Sequence, residues 1–451
     1  MLKIHKKQLP PSIRIQHYLR CMLLRETAVQ PFRQQNKQKG TFVKIVLLTL
    51  SLVGFASGLD VAAQDVATKP TTTGSFEGRW ETTFGNMQLK LNGKFLEGKY
   101  PGGDLRGAVT DNTFAFFYKD QSENGQAKFE LSPDGKRFTG RYKPSGANQW
   151  AKWNGTRAKP RGFQGLWDTS YGKLRLNVVG SEVTGAYNFQ GTEATVAGQI
   201  KNGRLVFRYT EPDVQGSAWF EVSPDDETVS GKYRPDGGKE WLPWEGERDD
   251  GELGEKWLVI LEANWEGSLE EKQYAFADML RQYFTMSVAQ HVNVRTRSFH
   301  DSADLKRFCR EVKYLPGPVV LLLSTHGTKD GLTVFNETIT PEKLTEGLSH
   351  TSNLELIHLS GCSMMAGDFP KKVQSLMGTS ACPVSGYKTD VAWDASAIAD
   401  FTFLSMLLIH QLEPARAVEQ AIRLSPYLGD KRVPRAIYRP LGLSIQKAAE
   451  Q

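Results

Sequence analysis

Two regions of this chain differ in how apolar and polar residues are spaced. From about residue 76 to residue 248, short β-type segments such as MQLKL, TFAFFY and AKFEL are separated by Gly, Asn and Asp clusters roughly every ten residues. After a charged, Gly-containing stretch from Glu245 to Lys256, longer apolar segments alternate with segments of helical composition. We therefore predict an all-β region followed by an α/β domain.

The all-β region is a tandem repeat, which we place at residues 74–157 and 162–248. Glycine and aromatic positions recur first at an offset of 87 and, after a four-residue insertion, at an offset of 91. The first offset relates Phe76, Gly78, Trp80, Gly85, Gly93, Gly98 and Tyr100 to Phe163, Gly165, Trp167, Gly172, Gly180, Gly185 and Tyr187. The second relates Gly140, Tyr142, Trp150, Trp153 and Gly155 to Gly231, Tyr233, Trp241, Trp244 and Gly246.

Each copy has room for about six to eight short antiparallel strands, which predicts a small barrel or a curved sheet closed on itself. The two copies are either separate barrels or halves of one sheet assembly. We interpret the shared glycine and aromatic positions first as turns and core. The alternative is a binding face for an envelope polysaccharide or a protein partner, on which exposed Trp and Tyr rings would stack.

The region from residue 255 to 451 alternates strands with helices. Strands are predicted at Trp257–Ala263, His291–Phe299, Pro318–Gly327, Leu354–Cys362 and Pro383–Tyr387, and helices at Ser268–Tyr283, from Ser302, at Thr340–Ser349, after Cys362 and from Ala395. This order predicts a mostly parallel sheet with helices on both faces. In such sheets, ligands bind beyond the carboxyl ends of the strands.

Two of the predicted strands end on residues that an acyl-transfer enzyme needs. The run PVVLLLSTHG ends at His326-Gly327, and LELIHLSGC ends at Cys362. If the strands are parallel neighbours, the imidazole and the thiol lie at the same edge, where the histidine can take the thiol proton and release the nucleophilic thiolate. Gly327 allows close approach of a substrate carbonyl, so the backbone N–H groups of Gly327 and Cys362 are candidate oxyanion donors.

These two motifs, STHG and SGCSMM, resemble the caspase-like (clan CD) cysteine peptidases, which include caspases, legumains, gingipains, separases and CHAT-domain proteins. The resemblance covers residues 255–451 and implies a caspase-like α/β fold and peptidase activity. Gly361-Cys362-Ser363 is closer to the separase and CHAT versions, because the caspase sequence QACRG is absent. Cleavage after Asp is therefore not implied.

The segment SGYKTDVAWDAS, from Ser385 to Ser396, resembles the part of bacterial members that shapes the substrate pocket. The resemblance thus implies that Asp390 or Asp394 lines a pocket for a basic side chain, with cleavage after Arg or Lys. The alternative is that both are solvated loop residues.

The remaining cysteines and histidines are weaker candidates. Cys309 lies on a predicted helix and Cys382 precedes a proline, so we interpret both as structural. His350 lies at a helix end and His358 inside a strand, which makes neither a preferred base. Taken singly, a histidine or a cysteine at a strand end is more often structural; the pairing of the two motifs favours catalysis.

The N-terminal residues 1–63 have the features of an export signal. Ten Lys or Arg in the first 44 residues, against Glu26 alone, precede the apolar run Ile45–Phe55 and small residues ending at Ala63. This predicts an exported protein, periplasmic or extracellular, in which the segment is either cleaved after Ala63 or retained as a membrane anchor. The basic charge belongs to this leader, so no nucleic-acid partner is implied.

Other hydrolase classes lack their signatures. The chain has no GxSxG elbow, no HExxH or clustered Cys and His, and no P-loop, so no cofactor or metal is predicted. The rival hypothesis is a catalytically inactive caspase-like scaffold, behind repeats that bind an envelope component. An exposed thiol that is easily oxidised outside the cytoplasm makes this rival credible.

Overall fold

The computed structural model describes residues 75–120, 123–189, 191–251, 255–264, 270, 275–286, 292–335, 337–432 and 439–448. The predicted leader at 1–63 lies outside these residues. Within the described ranges, no helix is both long and apolar enough to cross a membrane.

The first repeat forms a closed antiparallel barrel, here called barrel 1. Its strands are β1 (Gly78–Thr82), β2 (Gly85–Asn92), β3 (Phe95–Tyr100), β4 (Gly103–Thr110), β5 (Thr113–Asp120), β6 (Asn124–Leu131), β7 (Arg137–Pro144), β8 (Ala151–Lys152) and β9 (Gly155–Arg157). Consecutive strands pair from β1 to β7, and β9 closes the ring by pairing with both β7 and β1. The short β8 pairs only with the end of β7.

The second repeat forms its own closed barrel, here called barrel 2, from β10 to β17. These strands are β10 (Gly165–Thr169), β11 (Gly172–Val179), β12 (Glu182–Phe189), β13 (Thr192–Lys201), β14 (Arg204–Thr210), β15 (Gln215–Val222), β16 (Thr228–Pro235) and β17 (Leu242–Arg248). Of the two arrangements that the repeat left open, separate barrels are the one observed.

Aromatic side chains fill both barrels, and in each barrel an arginine on the last strand fixes that strand to the start of the barrel. Trp153 and Trp244 are buried in equivalent positions and contact several other rings edge-on. The guanidinium of Arg248 lies 4.0 Å from the ring centre of Trp167 and donates to the carbonyls of Gly162 and Gln164. Arg157 stacks on Trp80 in the same way in barrel 1, which ties the last strand to the first.

The interpretation of the repeated positions as turns and core holds for most of them but not for one pair. Trp150 and Trp241 are 44% and 38% exposed, and a cation lies over each ring, Lys143 over Trp150 and Arg234 over Trp241. Spacing alone could not separate these two from the buried Trp153 and Trp244, because all four recur in the repeat.

The α/β domain is built on a six-stranded sheet in the order β19-β18-β20-β24-β25-β26. Its strands are β18 (Lys256–Ala263), β19 (Val292–Phe299), β20 (Val319–Ser324), β24 (Leu354–Ser360), β25 (Val384–Tyr387) and β26 (Leu443–Gln446). All neighbours are parallel except β26, which is antiparallel to β25. A separate three-stranded sheet consists of β21 (His326–Thr328), β22 (Gly331–Val334) and β23 (Glu337–Ile339).

Helices cover both faces of this sheet, as the alternating pattern predicted. They are α1 (Phe276–Met286), α2 (Ser302–Val312), α3 (Pro341–Gly347), α4 (Phe369–Met377), α5 (Trp393–Leu404) and α6 (Pro414–Leu424), with a π-helical turn at Ser405–Ile409 and 3₁₀ turns at Gly378–Ser380 and Pro426–Leu428. Leu258 and Ile260 of β18 pack with α1, α5 and α6, whereas Val259 and Leu261 pack with α2, α3 and α4. Burial on both faces explains why the strands are continuously apolar.

The structure corrects two boundaries of the predicted elements and adds three strands, β22, β23 and β26. β20 ends at Ser324, and His326 begins the hairpin β21–β22 instead of ending the sheet strand. The apolar run hid this change of direction; the chain reverses at Lys329 and Asp330, between the paired residues Thr328 and Gly331. β24 likewise ends at Ser360, before Cys362, and the edge strand β26 was not predicted. Of the helix predicted at Ser268–Tyr283, residues 268–269 and 271–274 lie outside the described ranges.

Barrel 2 is joined to the α/β domain by buried charged groups. Arg175 of β11 donates to the backbone carbonyls of Lys313 and Leu315 at 2.8 and 3.0 Å. The ammonium of Lys313 is itself fully buried and binds Glu193 of β13 at 2.6 Å. Because a buried cation is costly without its partner, this contact holds the two domains together.

We expect Trp244→Ala to lower the free energy of unfolding of barrel 2 by about 3–5 kcal/mol, since it empties the centre of the aromatic core. The matched control is Trp241→Ala, three residues away on the exposed face, which we expect to cost less than about 1 kcal/mol. Hydrogen exchange of β14 and β15 peptides in the complete chain measures both. Equal effects of the two substitutions would contradict this account of the core.

Candidate active site

The candidate site forms where β20 and β24 end side by side. Ser324 is the register partner of Ser360 in this parallel pair, and the N–H of Thr325 donates to the Ser360 carbonyl at 3.2 Å. His326 and Cys362 each lie two residues beyond that pair. Both line the same cavity, which has a volume of about 200 Å³. The pairing of the two motifs inferred from sequence is therefore present, at the carboxyl ends of the strands.

Glycines allow the two strand extensions to approach each other. A Cβ atom on Gly327 would lie 2.9 Å from the carbonyl oxygen of Cys362 and 2.5 Å from the sulfur of Met364. One on Gly361 would lie 2.6 Å from the carbonyl oxygen of Thr325. The backbones of Gly327 and Cys362 are thus in contact; their role as oxyanion donors stays a prediction.

The Cys362 side chain is partly exposed and is held by the backbone of Val391. The Val391 N–H donates to the Cys362 sulfur at 3.4 Å, and the thiol donates to the Val391 carbonyl at 3.7 Å. The next residue, Ser363, has a φ of +55°, a conformation uncommon outside glycine. Its N–H donates to the Thr389 carbonyl at 3.0 Å, so the turn after Cys362 is fixed to the loop after β25.

Asp390 and Asp394 both lie in the loop and helix start that flank this turn. Asp390 is exposed and accepts a hydrogen bond from the Ser363 hydroxyl at 2.7 Å. Asp394 is exposed in the first turn of α5 and accepts from the N–H of Ala395. The cavity wall from this segment consists of Val391, Trp393, Ser396 and Ala397. A pocket role for the two aspartates stays a prediction.

The cavity wall also includes residues that sequence reasoning did not identify. Phe276, at the start of α1, contacts Trp393 edge-on with ring centres 5.5 Å apart. The buried carboxylate of Glu262, at the end of β18, accepts from the N–H groups of Phe276 and Ala277 at 3.2 Å. This contact satisfies the helix N-terminus and fixes Phe276 in the wall.

A buried polar network lies next to the cavity, centred on Asp400 of α5. One carboxylate oxygen accepts from His358 Nε2 at 2.7 Å and from the Tyr387 hydroxyl, and the other accepts from the Ser360 hydroxyl. His358 Nδ1 lies 2.8 Å from the Ser385 hydroxyl. The network joins β24, β25 and α5. Burial and the neighbouring carboxylate raise the pKa of Tyr387 well above its usual range.

Asp400 has a sequence signal that went unused. An acidic residue within the apolar stretch AIADFTFL must either be exposed to solvent, which interrupts the apolar face of the helix, or accept hydrogen bonds inside the protein. The imidazole of His358, which the sequence places inside a strand, is fully buried and hydrogen-bonded within this network.

The other two cysteines in the described part of the chain are unsuited to nucleophilic chemistry. Cys309 and Cys382 are free and buried, and burial raises the pKa of each thiol to about 12. Neither is ionised at neutral pH, in keeping with the structural role inferred for them.

Comparisons with known proteins leave the function to be argued from this site. No family model matches the chain, and no curated protein does so. One similar solved structure is described as "structure of pro-sf-caspase-1"; it has a TM-score of 0.29 and 10% sequence identity, over 43% of this chain and 91% of that chain. A likeness at that level does not establish a fold or an activity.

We expect Asp400→Asn to lower the stability of the β24–β25 region by about 3 kcal/mol, because the new amide group faces donors already aimed at the carboxylate. Asp394→Asn, an exposed change on the same helix, is the control and is expected to cost less than about 1 kcal/mol. Hydrogen exchange of β24 and β25 peptides in the complete chain reports both. Similar protection in the two variants would show that the network contributes little.

Proposed function

We propose that the α/β domain is a cysteine peptidase that cleaves protein or peptide substrates with a catalytic dyad of His326 and Cys362. One observation carries the proposal. The parallel register of β20 and β24 sets the histidine and the cysteine at equal positions beyond two adjacent strands, on one cavity. The resemblance of STHG and SGCSMM to the caspase-like peptidases supports the same activity.

In the proposed reaction, His326 takes the proton from the Cys362 thiol. The thiolate attacks the scissile carbonyl carbon, and the backbone N–H groups of Gly327 and Cys362 stabilise the oxyanion. The protonated His326 then gives its proton to the departing amine, which leaves an acyl-enzyme. Water, deprotonated by the same imidazole, hydrolyses the thioester and restores the thiol. The chemistry uses no cofactor.

We further propose that the chain is exported to the periplasm or the extracellular space through its N-terminal segment. The two barrels would then act as a binding module for an envelope polysaccharide or a protein. Trp150 and Trp241 favour this role, because they are exposed rings at equivalent positions of the two barrels, where a ligand could stack. Lys143 and Arg234 lie over part of these rings. The second candidate function is a scaffold in which the barrels bind a ligand and His326 and Cys362 catalyse no reaction.

We expect Cys362→Ala to reduce kcat/KM at least about 1,000-fold, because it removes the nucleophile. His326→Ala should reduce it at least about 100-fold, since the thiol then lacks its general base. The measurement is cleavage of fluorogenic peptides with Leu, Phe, Arg, Lys or Asp before the scissile bond, under reducing conditions and after limited autoproteolysis.

Cys382→Ser is the matched control, because Cys382 is a free cysteine that lies just before β25 and is buried away from the cavity. It should keep full activity per folded molecule. Cleavage that survives in both dyad variants would rule out the peptidase proposal. No cleavage of any peptide by the unaltered chain would favour the scaffold.

A further inference from the structure

We propose that the cavity beside Cys362 holds the substrate side chain that precedes the scissile bond, and that it selects an uncharged, apolar side chain. This inference rests on the proposed peptidase function and names its substrate class. It differs from the preference for Arg or Lys that the sequence resemblance implied through Asp390 and Asp394.

The cavity wall combines apolar side chains with neutral hydroxyl groups. Its apolar members are Phe276, Val391, Trp393 and Ala397, and its hydroxyl-bearing members are Ser324, Thr325, Ser360 and Ser396. His326 is the only titratable base on the wall, and no carboxylate lines the cavity among the described residues. At about 200 Å³ the cavity is smaller than a typical ligand pocket, which suits a single side chain.

Three of the four hydroxyl groups on the wall already donate within the protein. Ser360 donates to Asp400, Ser396 donates to the Trp393 carbonyl at 3.0 Å, and Thr325 donates to the Thr333 carbonyl at 2.8 Å. A polar substrate side chain would have to displace these bonds to gain new ones. An apolar side chain leaves them intact and gains contact with the two aromatic rings.

The nearby carboxylates are committed elsewhere. Asp400 is fully buried behind Ser360 and accepts three hydrogen bonds from side chains. Asp390 accepts from the Ser363 hydroxyl and Asp394 from the Ala395 N–H, and neither carboxylate lines the wall. A guanidinium or ammonium group that entered the cavity would lose water without gaining an ion pair, which is unfavourable.

The walls are also fixed, so the selection should be sharp. Glu262 anchors the first turn of α1 and with it Phe276. The Val391 N–H donates a hydrogen bond to the Cys362 sulfur. An apolar side chain in this cavity therefore sets the position of the scissile carbonyl relative to the sulfur.

The test uses the complete chain and peptides identical except for the residue before the scissile bond: Leu, Met, Phe, Arg, Lys or Asp. We expect kcat/KM for the best apolar peptide to exceed that for Arg, Lys and Asp at least about 10-fold to 100-fold. Ala397→Leu, which fills the cavity, should lower kcat/KM for Phe more than for smaller apolar residues.

A charge placed in the cavity should reverse the preference. Ala397→Asp is expected to raise the ratio of Arg to Leu cleavage at least about 10-fold, whereas Ile398→Asp, on the exposed side of the same turn, should leave that ratio unchanged. If Ala397→Asp does not fold, Trp393→Ala, at the exposed rim, provides the second variant. It should lower kcat/KM for apolar peptides and leave the low rates for Arg and Lys unaltered.

The outcomes separate the two proposals. Cleavage that requires Cys362 and favours Arg, Lys or Asp would overturn the inference and leave the peptidase function standing. In that case Asp390→Asn and Asp394→Asn would show which carboxylate binds the substrate. No Cys362-dependent cleavage of any peptide would overturn both.

Discussion

β20 and β24 hydrogen-bond in parallel with Ser324 opposite Ser360, and this pairing fixes the positions of His326 and Cys362 relative to each other. A slip of one residue would move the whole apolar set of one strand to the opposite face. Both faces are buried in separate cores, so such a slip would disturb helix packing throughout the domain. The arrangement of the two candidate catalytic residues therefore depends on a strand pair that is buried on both faces.

The groups that refine the site come from the other side of the cavity. Asp400 ties the end of β24 to β25 and α5, and Val391 holds the Cys362 sulfur. Glu262 fixes the start of α1. Each of these groups is satisfied by partners within the protein. They hold the walls of the cavity in place next to the Cys362 sulfur.

Continuous apolar runs and the residues that follow them were enough to predict the parallel strands of the sheet and the placement of His326 and Cys362 at one edge of it, whereas the antiparallel β26 was missed. The hairpin that begins at His326 was missed because Thr325, which follows the apolar run, is not a residue typical of turns. Phe276 and Asp400 were also missed. They reach the site only through long-range packing of α1 and α5, about which local periodicity carries no information. The repeat predicted two similar folds but could not tell the buried Trp244 from the exposed Trp241.

The contact between barrel 2 and the α/β domain bears on how binding and cleavage are arranged. Lys313 lies between the end of α2 and the start of β20. Its ammonium binds Glu193 of barrel 2, and its backbone carbonyl accepts from Arg175 of the same barrel. Barrel 2 is therefore attached at the amino ends of the parallel strands, whereas His326 and Cys362 lie beyond the carboxyl ends. A ligand held by this barrel would not occupy the cavity. Under the proposed function, the barrels would therefore localise the domain, and the cavity itself would select the cleaved bond.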